Sequence, residues 1–494
     1  MAADPVLMTA PAPRHQLFIG GAFTDAADGA TLATVSPRDG TVTARVAAAG
    51  PADVDRAVQV ARSAFERGSW ARAAPRQRKL VLLRLAELMR ENLGELALLE
   101  TLDVGKPIGE SRRVDVPTAA DCFQWYGEAV DKVYGELAPA GPDALVQISR
   151  EPLGVVAAVV PWNYPLIISA WKLAPALAMG NSVILKPAEQ SPLSALALAE
   201  LAAEAGLPDG VLSVLPGAGP VAGAALGRHP GIDKIAFTGS GETGRRFLGY
   251  SAESNGKQVA LECGGKSAQI VLRDVGDLEA AATAVAWGIF YNAGQTCNAG
   301  SRLIADASIA DELVAAVVQI AESIAVGDPL QEATQMGPLV DTAQLERVRG
   351  YLALADAEGA GFLTGGGPPP GADDAGCYLA PTVLAGVSGS SRVAREEIFG
   401  PVLTCFTVRG EAEAVELAND SPFGLAAGVW TADLSAAHRT AAALRAGTVW
   451  VNTFDAADVC TPFGGFKESG YGRDRSLHAL AAYSGLKTTW VNIG

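Results

Sequence analysis

The sequence has few of the residues that hold small secreted proteins or metal centres together. Only six cysteines and four histidines occur in 494 residues, and no two cysteines have the CxxC spacing of a zinc site or a redox disulfide. Disulfide frameworks are dense in short secreted chains. The composition therefore predicts a protein of a reducing, cytoplasmic setting, with no metal.

A long apolar run and an excess of positive charge are also missing. No stretch of 18 or more apolar residues indicates a membrane span, and the alanine- and proline-rich start lacks the apolar core of a signal peptide. We interpret residues 1–15 as a disordered tail. The net charge of −16 argues against nucleic acid as a partner, because phosphate binding requires clustered lysine and arginine.

The chain does contain enough apolar residues for large cores. Hydrophobic residues make up 49% of it and charged residues 19%, which is unlike a disordered protein. Because 494 residues exceed what one hydrophobic core usually supports, two or more lobes are expected.

The order of the apolar residues predicts an α/β fold. Helical periodicity is clear in residues 52–67 and in residues 76–100, where Gly94 could interrupt it. From Val155 onward, short β-rich runs alternate with alanine-rich helical stretches, and a second such series occupies residues 268–452. Alternation of this kind is typical of parallel sheets covered by helices on both faces. We therefore predict two doubly wound, Rossmann-like lobes.

Two isolated β-like runs lie outside this alternation. They are residues 145–149 and residues 486–493, and neither has an obvious partner nearby in the sequence. We predict that they pair with each other.

A glycine-rich turn at residues 237–244 is the sharpest local signal. Gly239, Gly241 and Gly244 have GxGxxG spacing between a β-like run and a helix-like run. Glycines there allow a close backbone approach to a pyrophosphate, and the helix N-terminus supplies amide donors. A tight strand–helix turn without a ligand would explain the same spacing, so the pattern alone leaves both interpretations open.

Two charged side chains follow the next predicted strand end. Lys186 and Glu189 come directly after the run at residues 182–185. At the end of a parallel strand they could hydrogen-bond the hydroxyls of a ribose. The alternative is an incidental ion pair in a solvated loop.

Cys297 has the setting of a reactive cysteine. It follows a helical stretch and lies between Gly294 and Gly300 among small polar residues, where exposure and a lowered thiol pKa are easier to reach than inside a packed helix. Glu262 ends another predicted strand and could serve as a carboxylate base. The general Rossmann rule would instead assign it to a ribose, and spacing does not decide between the two roles.

Taken together, several segments resemble the aldehyde dehydrogenase superfamily over roughly residues 18–494. They are PWNYP at 161–165, FTGS at 237–240, LECGGK at 261–266, GQTC at 294–297, EEIFGP at 396–401 and PFGGFK at 462–467. The resemblance implies the aldehyde dehydrogenase fold, with two Rossmann-like lobes and a small β oligomerisation element. The implied bounds are residues 16–129 and 153–264 for an NAD-binding domain, 265–470 for a catalytic domain, and 130–152 and 471–494 for the oligomerisation element. A homodimer or homotetramer is expected.

The resemblance also implies the roles of the catalytic residues. Cys297 is the nucleophile and Glu262 the general base that activates the hydrolytic water. The Asn163 side-chain amide and the Cys297 backbone N–H stabilise the oxyanion, and Lys172 helps to relay a proton. The presence of Glu262 favours hydrolysis over transfer of the acyl group to coenzyme A.

NAD is the implied cofactor, because a carboxylate at Glu189 should repel the 2′-phosphate of NADP. Three positions depart from the usual choices of the family: Arg347 stands where lysine is frequent, Asp474 where glutamate is frequent, and Gly241 where threonine is usual. The implied cofactor positions are Val159, Pro161, Trp162, Lys186, Glu189, Gly219, Gly223, Phe237, Gly239, Ser240, Thr243, Cys263, Gln344, Glu397 and Phe399.

The longest local likeness is to aminoaldehyde dehydrogenases, γ-glutamyl-γ-aminobutyraldehyde dehydrogenase among them, in residues 97–107, 125–136 and 472–480. Aromatic faces together with carboxylates suit a substrate with a distant ammonium or guanidinium group. Asp455 and Asp458 could equally be solvated loop acids. The implied pocket residues are Tyr164, Trp171, Tyr291, Asp455, Asp458 and Phe463.

Other functions remain open beside an ω-aminoaldehyde dehydrogenase. The nearest is a broad-specificity enzyme for aliphatic or aromatic aldehydes. A CoA-acylating dehydrogenase and a non-catalytic binding protein are further alternatives, and the latter would have no reason to keep Cys297, Glu262 and Asn163 together.

Overall fold

Short strands that alternate with helices build the fold, which the computed structural model describes over residues 14–494. The strands in chain order are β1 (Leu17–Ile19), β2 (Ala22–Thr24), β3 (Thr31–Val35), β4 (Val42–Ala47), β5 (Glu136–Ala138), β6 (Ala144–Pro152), β7 (Val155–Val159), β8 (Ser182–Lys186), β9 (Leu212–Val214), β10 (Lys234–Gly239), β11 (Gln258–Cys263), β12 (Ala268–Val271), β13 (Arg302–Asp306), β14 (Gly361–Thr364), β15 (Thr382–Ala385), β16 (Val402–Val408), β17 (Phe423–Gly424), β18 (Ala426–Trp430), β19 (Thr448–Val451), β20 (Phe466–Lys467), β21 (Gly470–Tyr471) and β22 (Ser484–Asn492). The α-helices are Pro51–Arg67, Pro75–Glu91, Leu93–Val104, Ile108–Glu110, Val116–Ala129, Pro165–Ala178, Leu193–Glu204, Ala224–Arg228, Gly241–Ala252, Leu278–Phe290, Ala310–Ser323, Thr342–Ala357, Arg392–Arg395, Glu411–Asn419, Leu434–Ala443 and Ser476–Ala482.

The first lobe is organised around an eight-stranded sheet with the order β2-β1-β9-β8-β7-β10-β11-β21. Strands β9, β8, β7, β10 and β11 are parallel, and β1, β2 and β21 add antiparallel edges. Every residue of β7 and β8 is buried, because helices cover both faces of the sheet. Alternate residues of β7 enter different cores: Val156 and Ala158 face the core that contains helix Pro165–Ala178, and Val155 and Ala157 face the one with helix Pro51–Arg67.

The second lobe has a seven-stranded sheet with the order β14-β15-β16-β13-β12-β18-β19. All neighbouring pairs are parallel except β14 with β15. Helices Leu278–Phe290 and Ala310–Ser323 contribute to the core on one face, and helices Glu411–Asn419 and Leu434–Ala443 to the core on the other. The prediction of two doubly wound α/β lobes is therefore confirmed.

A third, antiparallel sheet has the order β22-β6-β5. Leu145 lies opposite Val491 and Ile148 opposite Thr488, so the predicted pairing of the two isolated runs is confirmed. This sheet comes from the two segments assigned to the oligomerisation element. Strand β21 overlaps the start of the second segment but is not part of this third sheet, because Tyr471 pairs with Leu261 in the first sheet.

Two local features differ from the sequence predictions. The helical pattern of residues 76–100 is divided into two helices at Asn92, whose side-chain amide donates to the carbonyl of Leu88 at 2.8 Å. The interruption thus comes two residues before Gly94. The predicted tail lies outside the described residues except for Arg14 and His15, and Arg14 forms an ion pair with Glu95 at 2.5 Å. Between residues 14 and 494, no helix is both long and apolar enough to cross a membrane.

Candidate active site

A cavity of about 590 Å³ lies where the two lobes meet. Residues 161–163 after β7, residues 238–240 at the end of β10 and residues 262–264 at the end of β11 form its wall from the first lobe. Residues 296–298 and Glu397 border it from the second lobe. Strands β7 and β10 are neighbours at the point where the strand order of the sheet reverses, which is where doubly wound folds bind their ligands.

The turn before Cys297 is held against the first lobe by amide side chains. Asn292 has a left-handed backbone, with φ of 49°, and its side chain donates to the carbonyls of Asn163 and Gln295 at 3.2 and 3.3 Å. The side-chain amide of Asn163 donates to the carbonyl of Gln295 at 2.8 Å. An amide carries two hydrogens, so this contact fixes the Asn163 side chain beside Cys297 and leaves its second hydrogen for a ligand.

The thiol of Cys297 is partly accessible from the cavity. Its Sγ contacts the Asn298 side-chain oxygen at 4.0 Å. Burial raises the pKa of the thiol, and the carboxylates of Glu397, Asp455 and Glu262 raise it further. The thiolate is the nucleophilic form. Cys297 therefore needs a base, or a positive charge brought by a ligand, to react.

Glu262 is a buried carboxylate that faces the same cavity. It is 4% exposed, and neither of its carboxylate oxygens has a hydrogen-bond partner among residues 14–494. Burial raises its pKa well above the usual range, the nearby Asp474 carboxylate adds to this, and Lys172 opposes it. A carboxylate with a raised pKa binds a proton more strongly than an ordinary one, which suits general-base work. Its place in the cavity of Cys297 favours that role over a ribose contact.

Lys172 lies behind this carboxylate and is bound to Asp474. The distance from Lys172 Nζ to Asp474 Oδ2 is 2.6 Å, and both side chains are buried. Asp474 borders the cavity. Asp474 therefore contacts Lys172 although aspartate is shorter than glutamate.

The first lobe also has the features of a dinucleotide site. Ser240 caps helix Gly241–Ala252 by accepting from the Thr243 amide at 3.3 Å, and this helix N-terminus borders the cavity. A Cβ on Gly244 would lie 3.2 Å from Cys263 Sγ, so glycine permits close packing where the helix meets β11. These residues fit a pyrophosphate at the helix end. The glycine turn follows the fourth parallel strand of the Rossmann order, whereas the usual fingerprint follows the first.

Glu397 reaches this site from the second lobe. Its carboxylate accepts from the Gly265 amide at 3.1 Å, and a Cβ on Gly264 would lie 1.9 Å from its Oε1. Burial raises the pKa of Glu397 to about 7, although the hydrogen bond from the Gly265 amide lowers it. Gln344 donates to the carbonyl of Phe399 at 2.7 Å and so supports the turn that follows Glu397.

The predicted cofactor residues fall into two groups. Those that border the cavity are Pro161, Trp162, Gly239, Ser240, Cys263, Gln344, Glu397 and Phe399. Those that the structure does not bring to its wall are Val159, Lys186, Glu189, Gly219, Gly223, Phe237 and Thr243. Within the second group, Lys186 donates to Glu189 at 3.2 Å and the Gly219 amide donates to the other Glu189 oxygen at 2.5 Å. They form a separate polar cluster after β8.

All of the predicted substrate-pocket residues border the cavity, namely Tyr164, Trp171, Tyr291, Asp455, Asp458 and Phe463. The rings of Trp171 and Phe463 are 5.3 Å apart. Asp455 and Asp458 differ in their surroundings: Asp455 Oδ1 accepts from Asn298 at 2.6 Å, and desolvation raises the pKa of Asp455. Asp458 is exposed, and the hydrogen bond from the Cys460 backbone amide lowers its pKa.

The sequence interpretation missed several residues of the wall. Thr296 shares a hydrogen bond of 2.7 Å with the Tyr164 hydroxyl. The Asn298 side chain contacts Cys297 Sγ through its oxygen and donates to Asp455 through its nitrogen. Arg475 borders the cavity with its guanidinium carbon 5.1 Å from the centre of the Trp171 ring. The one signal for Arg475 was its position directly after Asp474.

Comparison with known proteins agrees with this geometry. The model of the aldehyde dehydrogenase family matches residues 23–489, so the chain belongs to this family, and it is an NAD-dependent aldehyde dehydrogenase. It is 51% identical to the NADP/NAD-dependent aldehyde dehydrogenase PuuC of Escherichia coli, over 97% of this chain and 96% of that protein.

Solved structures extend the comparison. An indole-3-acetaldehyde dehydrogenase in complex with NAD⁺ is 50% identical, with a TM-score of 0.96 over 97% of each chain. A γ-glutamyl-γ-aminobutyraldehyde dehydrogenase from Burkholderia cenocepacia is 51% identical, with a TM-score of 0.95 over 98% of this chain and 97% of that one. The predictions of the family, the fold and the NAD cofactor are confirmed.

Proposed function

We propose that this enzyme oxidises an aldehyde with a distant amine to its carboxylic acid, through a thioester on Cys297. The observation that carries the proposal is the meeting of Cys297, Glu262 and Asn163 at one cavity beneath the helix N-terminus of the dinucleotide site. A protein that only binds its ligand would not need these three residues together.

The first half of the reaction depends on Cys297 and Asn163. The thiolate attacks the carbonyl carbon, a C–S bond forms, and the carbonyl oxygen becomes an oxyanion. The free hydrogen of the Asn163 amide and the Cys297 backbone N–H stabilise this charge. When bound, NAD⁺ supplies the acceptor for the hydride that leaves the substrate carbon.

The second half depends on Glu262. Its carboxylate takes a proton from water, the resulting hydroxide attacks the thioester carbon, and the C–S bond breaks to release the carboxylic acid and the thiolate. The proton can then pass towards Lys172 and Asp474, which are in contact with each other. A base placed at the thioester favours hydrolysis over acyl transfer to coenzyme A.

The distant end of the substrate meets Trp171, Phe463 and Asp458. An ammonium or guanidinium group is attracted by the faces of aromatic rings and by an ionised carboxylate. Asp458 provides that charge, because its pKa is lowered and its side chain is exposed. The Burkholderia relative, which acts on γ-glutamyl-γ-aminobutyraldehyde, supports the choice of substrate class.

Initial rates of NADH formation test this substrate class. We expect γ-glutamyl-γ-aminobutyraldehyde, 4-aminobutyraldehyde and 4-guanidinobutyraldehyde to exceed hexanal and benzaldehyde in kcat/KM by about tenfold or more, or about 1.4 kcal/mol. Asp458→Asn should reduce this preference, whereas Asp311→Asn, which removes an exposed acid from a helix of the second lobe, should not. Higher kcat/KM for the uncharged aldehydes would instead identify a broad-specificity enzyme.

The same proposal includes self-association through the β22-β6-β5 sheet. Leu486, Trp490 and Ile493 are each more than 60% exposed at 63%, 68% and 62%, and within residues 14–494 β22 pairs only with β6. An apolar strand with an open edge favours pairing with another chain. We infer a dimer, or a tetramer of dimers, in a reducing cytoplasm that suits its free cysteines.

Sedimentation velocity checks the assembly. Trp490→Lys should shift the protein to a smaller species, because it places a charge in the apolar contact. Leu434→Lys, at an exposed leucine of the second lobe, serves as the control. An unchanged distribution for Trp490→Lys would contradict the role given to this sheet.

A further inference from the structure

Arg475 places a positively charged side chain at the cavity. No carboxylate among residues 14–494 forms an ion pair with it. The residue is 6% exposed and borders the cavity. Its Nε is buried without a hydrogen-bond partner among residues 14–494. A buried guanidinium remains protonated and is costly unless it is paired. The guanidinium therefore has hydrogen-bonding capacity at Nε that residues 14–494 leave unused.

Two of the nearby carboxylates already have other partners. Asp474 is bound to Lys172 at 2.6 Å, and Asp455 is bound to Asn298 at 2.6 Å. Burial lowers the pKa of Arg475, and these two carboxylates oppose the shift from a distance. Neither of them forms an ion pair with the guanidinium within the described part of the chain. The positive charge of the Arg475 guanidinium is therefore available to a ligand in the cavity.

The backbone around Arg475 is built to hold this orientation. Arg475 and Ser476 have φ of 61° and 54°, a left-handed conformation that is costly for side chains other than glycine. The pair is fixed between the Phe463–Asp474 bridge, where both hydrogen bonds are 2.8 Å, and a 2.7 Å hydrogen bond from the Ser476 amide to the Val459 carbonyl. Strain of this kind is frequent where a side chain must be aimed at a ligand.

Two aromatic rings lie close to the guanidinium. Its carbon lies 5.1 Å from the centre of the Trp171 ring and 5.0 Å from that of Phe463. A guanidinium beside aromatic rings is attracted to them and keeps hydrogen-bond donors that can bind both oxygens of a carboxylate. These are the same rings that border the distant end of the proposed substrate.

We propose that Arg475 binds a carboxylate that the aldehyde substrate carries at the end remote from its reacting carbon. The inference rests on the proposed function and deepens it. Arg475 and Asp458 border one cavity with opposite charges, an arrangement that suits an α-amino-acid head group: its carboxylate meets Arg475 and its ammonium meets Asp458. A γ-glutamyl aldehyde has such a head group, whereas a simple aminoaldehyde has only the ammonium.

Matched substrates without an ammonium test Arg475 by itself. We expect 6-oxohexanoate to exceed 6-oxohexanamide in kcat/KM by about tenfold or more, chiefly through KM. Arg475→Met should bring this ratio close to one, and Arg475→Lys should retain part of it. Arg439→Met, which removes an exposed arginine of the second lobe, should keep the original ratio. The same comparison with γ-glutamyl-γ-aminobutyraldehyde and its α-amide extends the test to the full head group.

Inhibition of the unaltered enzyme gives a second test that needs no variant. Adipate should inhibit about tenfold more strongly than its monoamide, because only adipate offers a carboxylate at both ends. Equal inhibition, or an acid-to-amide ratio that Arg475→Met leaves unchanged, would overturn the proposal. So would an equal loss for acid and amide, which would mean that Arg475 only balances the charges of Asp474 and Glu262. If hexanal surpasses the aminoaldehydes while the acid-to-amide ratio holds, the amine preference fails and the carboxylate site stands.

Discussion

Replacement of Cys297 by alanine should lower the rate of NADH formation by a factor on the order of 10⁴ or more, with NAD⁺ affinity unchanged. The loss is large because no other cavity cysteine can take over. Cys122 and Cys263 also border the cavity, but they are 1% and 3% exposed, and burial raises the pKa of each thiol. Steady-state rates and NAD⁺ titration by protein fluorescence measure the two quantities.

A cysteine outside the cavity wall provides the control for this variant. Cys460 is exposed and is not part of the wall, so Cys460→Ala should keep the original rate. Turnover that survives in Cys297→Ala would show that the nucleophile lies elsewhere, and the reaction proposed for this cavity would be wrong.

The second large effect is expected for Glu262→Gln. Glutamine keeps the shape of the side chain but cannot take a proton from water, so hydrolysis should slow by about 10²–10⁴-fold while the thiolate can still attack. Stopped-flow absorbance should therefore show a burst of about one NADH per site, followed by a slow steady state. A steady-state rate equal to that of the original enzyme, without a burst, would show that another base serves.

The pH dependence of kcat gives an independent check on Glu262. Burial, followed by the charge of Asp474, raises the pKa of this carboxyl. A base acts in its deprotonated form, so kcat should fall as the pH decreases through this raised pKa, at a higher pH than for an ordinary glutamate. The acidic limb should be absent from the slow turnover of Glu262→Gln. If the acidic limb of the kcat profile persists in Glu262→Gln, a group other than Glu262 causes it.

Much of the fold could be predicted from the sequence because its strands are short apolar runs between helices. Strands β7 and β8 are buried along their whole length, and that burial is what produces the continuous apolar pattern. The break at Asn92 was placed two residues late, because a side-chain hydrogen bond to Leu88 ends the helix there and periodicity does not register it.

The catalytic residues were predictable for a different reason. Cys297 and Glu262 lie in short segments whose order along the chain resembles a known family, and the structure brings both to one cavity. The hydrogen bond from Asn298 to Asp455 could not be predicted, because the two residues are more than 150 positions apart in the sequence. Arg475 was missed because a left-handed turn directs its side chain, and neither composition nor spacing indicates where such a turn points.

The most direct test of the central claim is the identity of the residue that carries the acyl group. Glu262→Gln would be mixed with NAD⁺ and γ-glutamyl-γ-aminobutyraldehyde, quenched in acid during the slow phase, and mapped by peptide mass spectrometry. The account predicts the mass of the acyl group on the peptide that contains Cys297, in proportion to the NADH formed. An acyl group on another residue, or NADH formed with no covalent adduct, would contradict it.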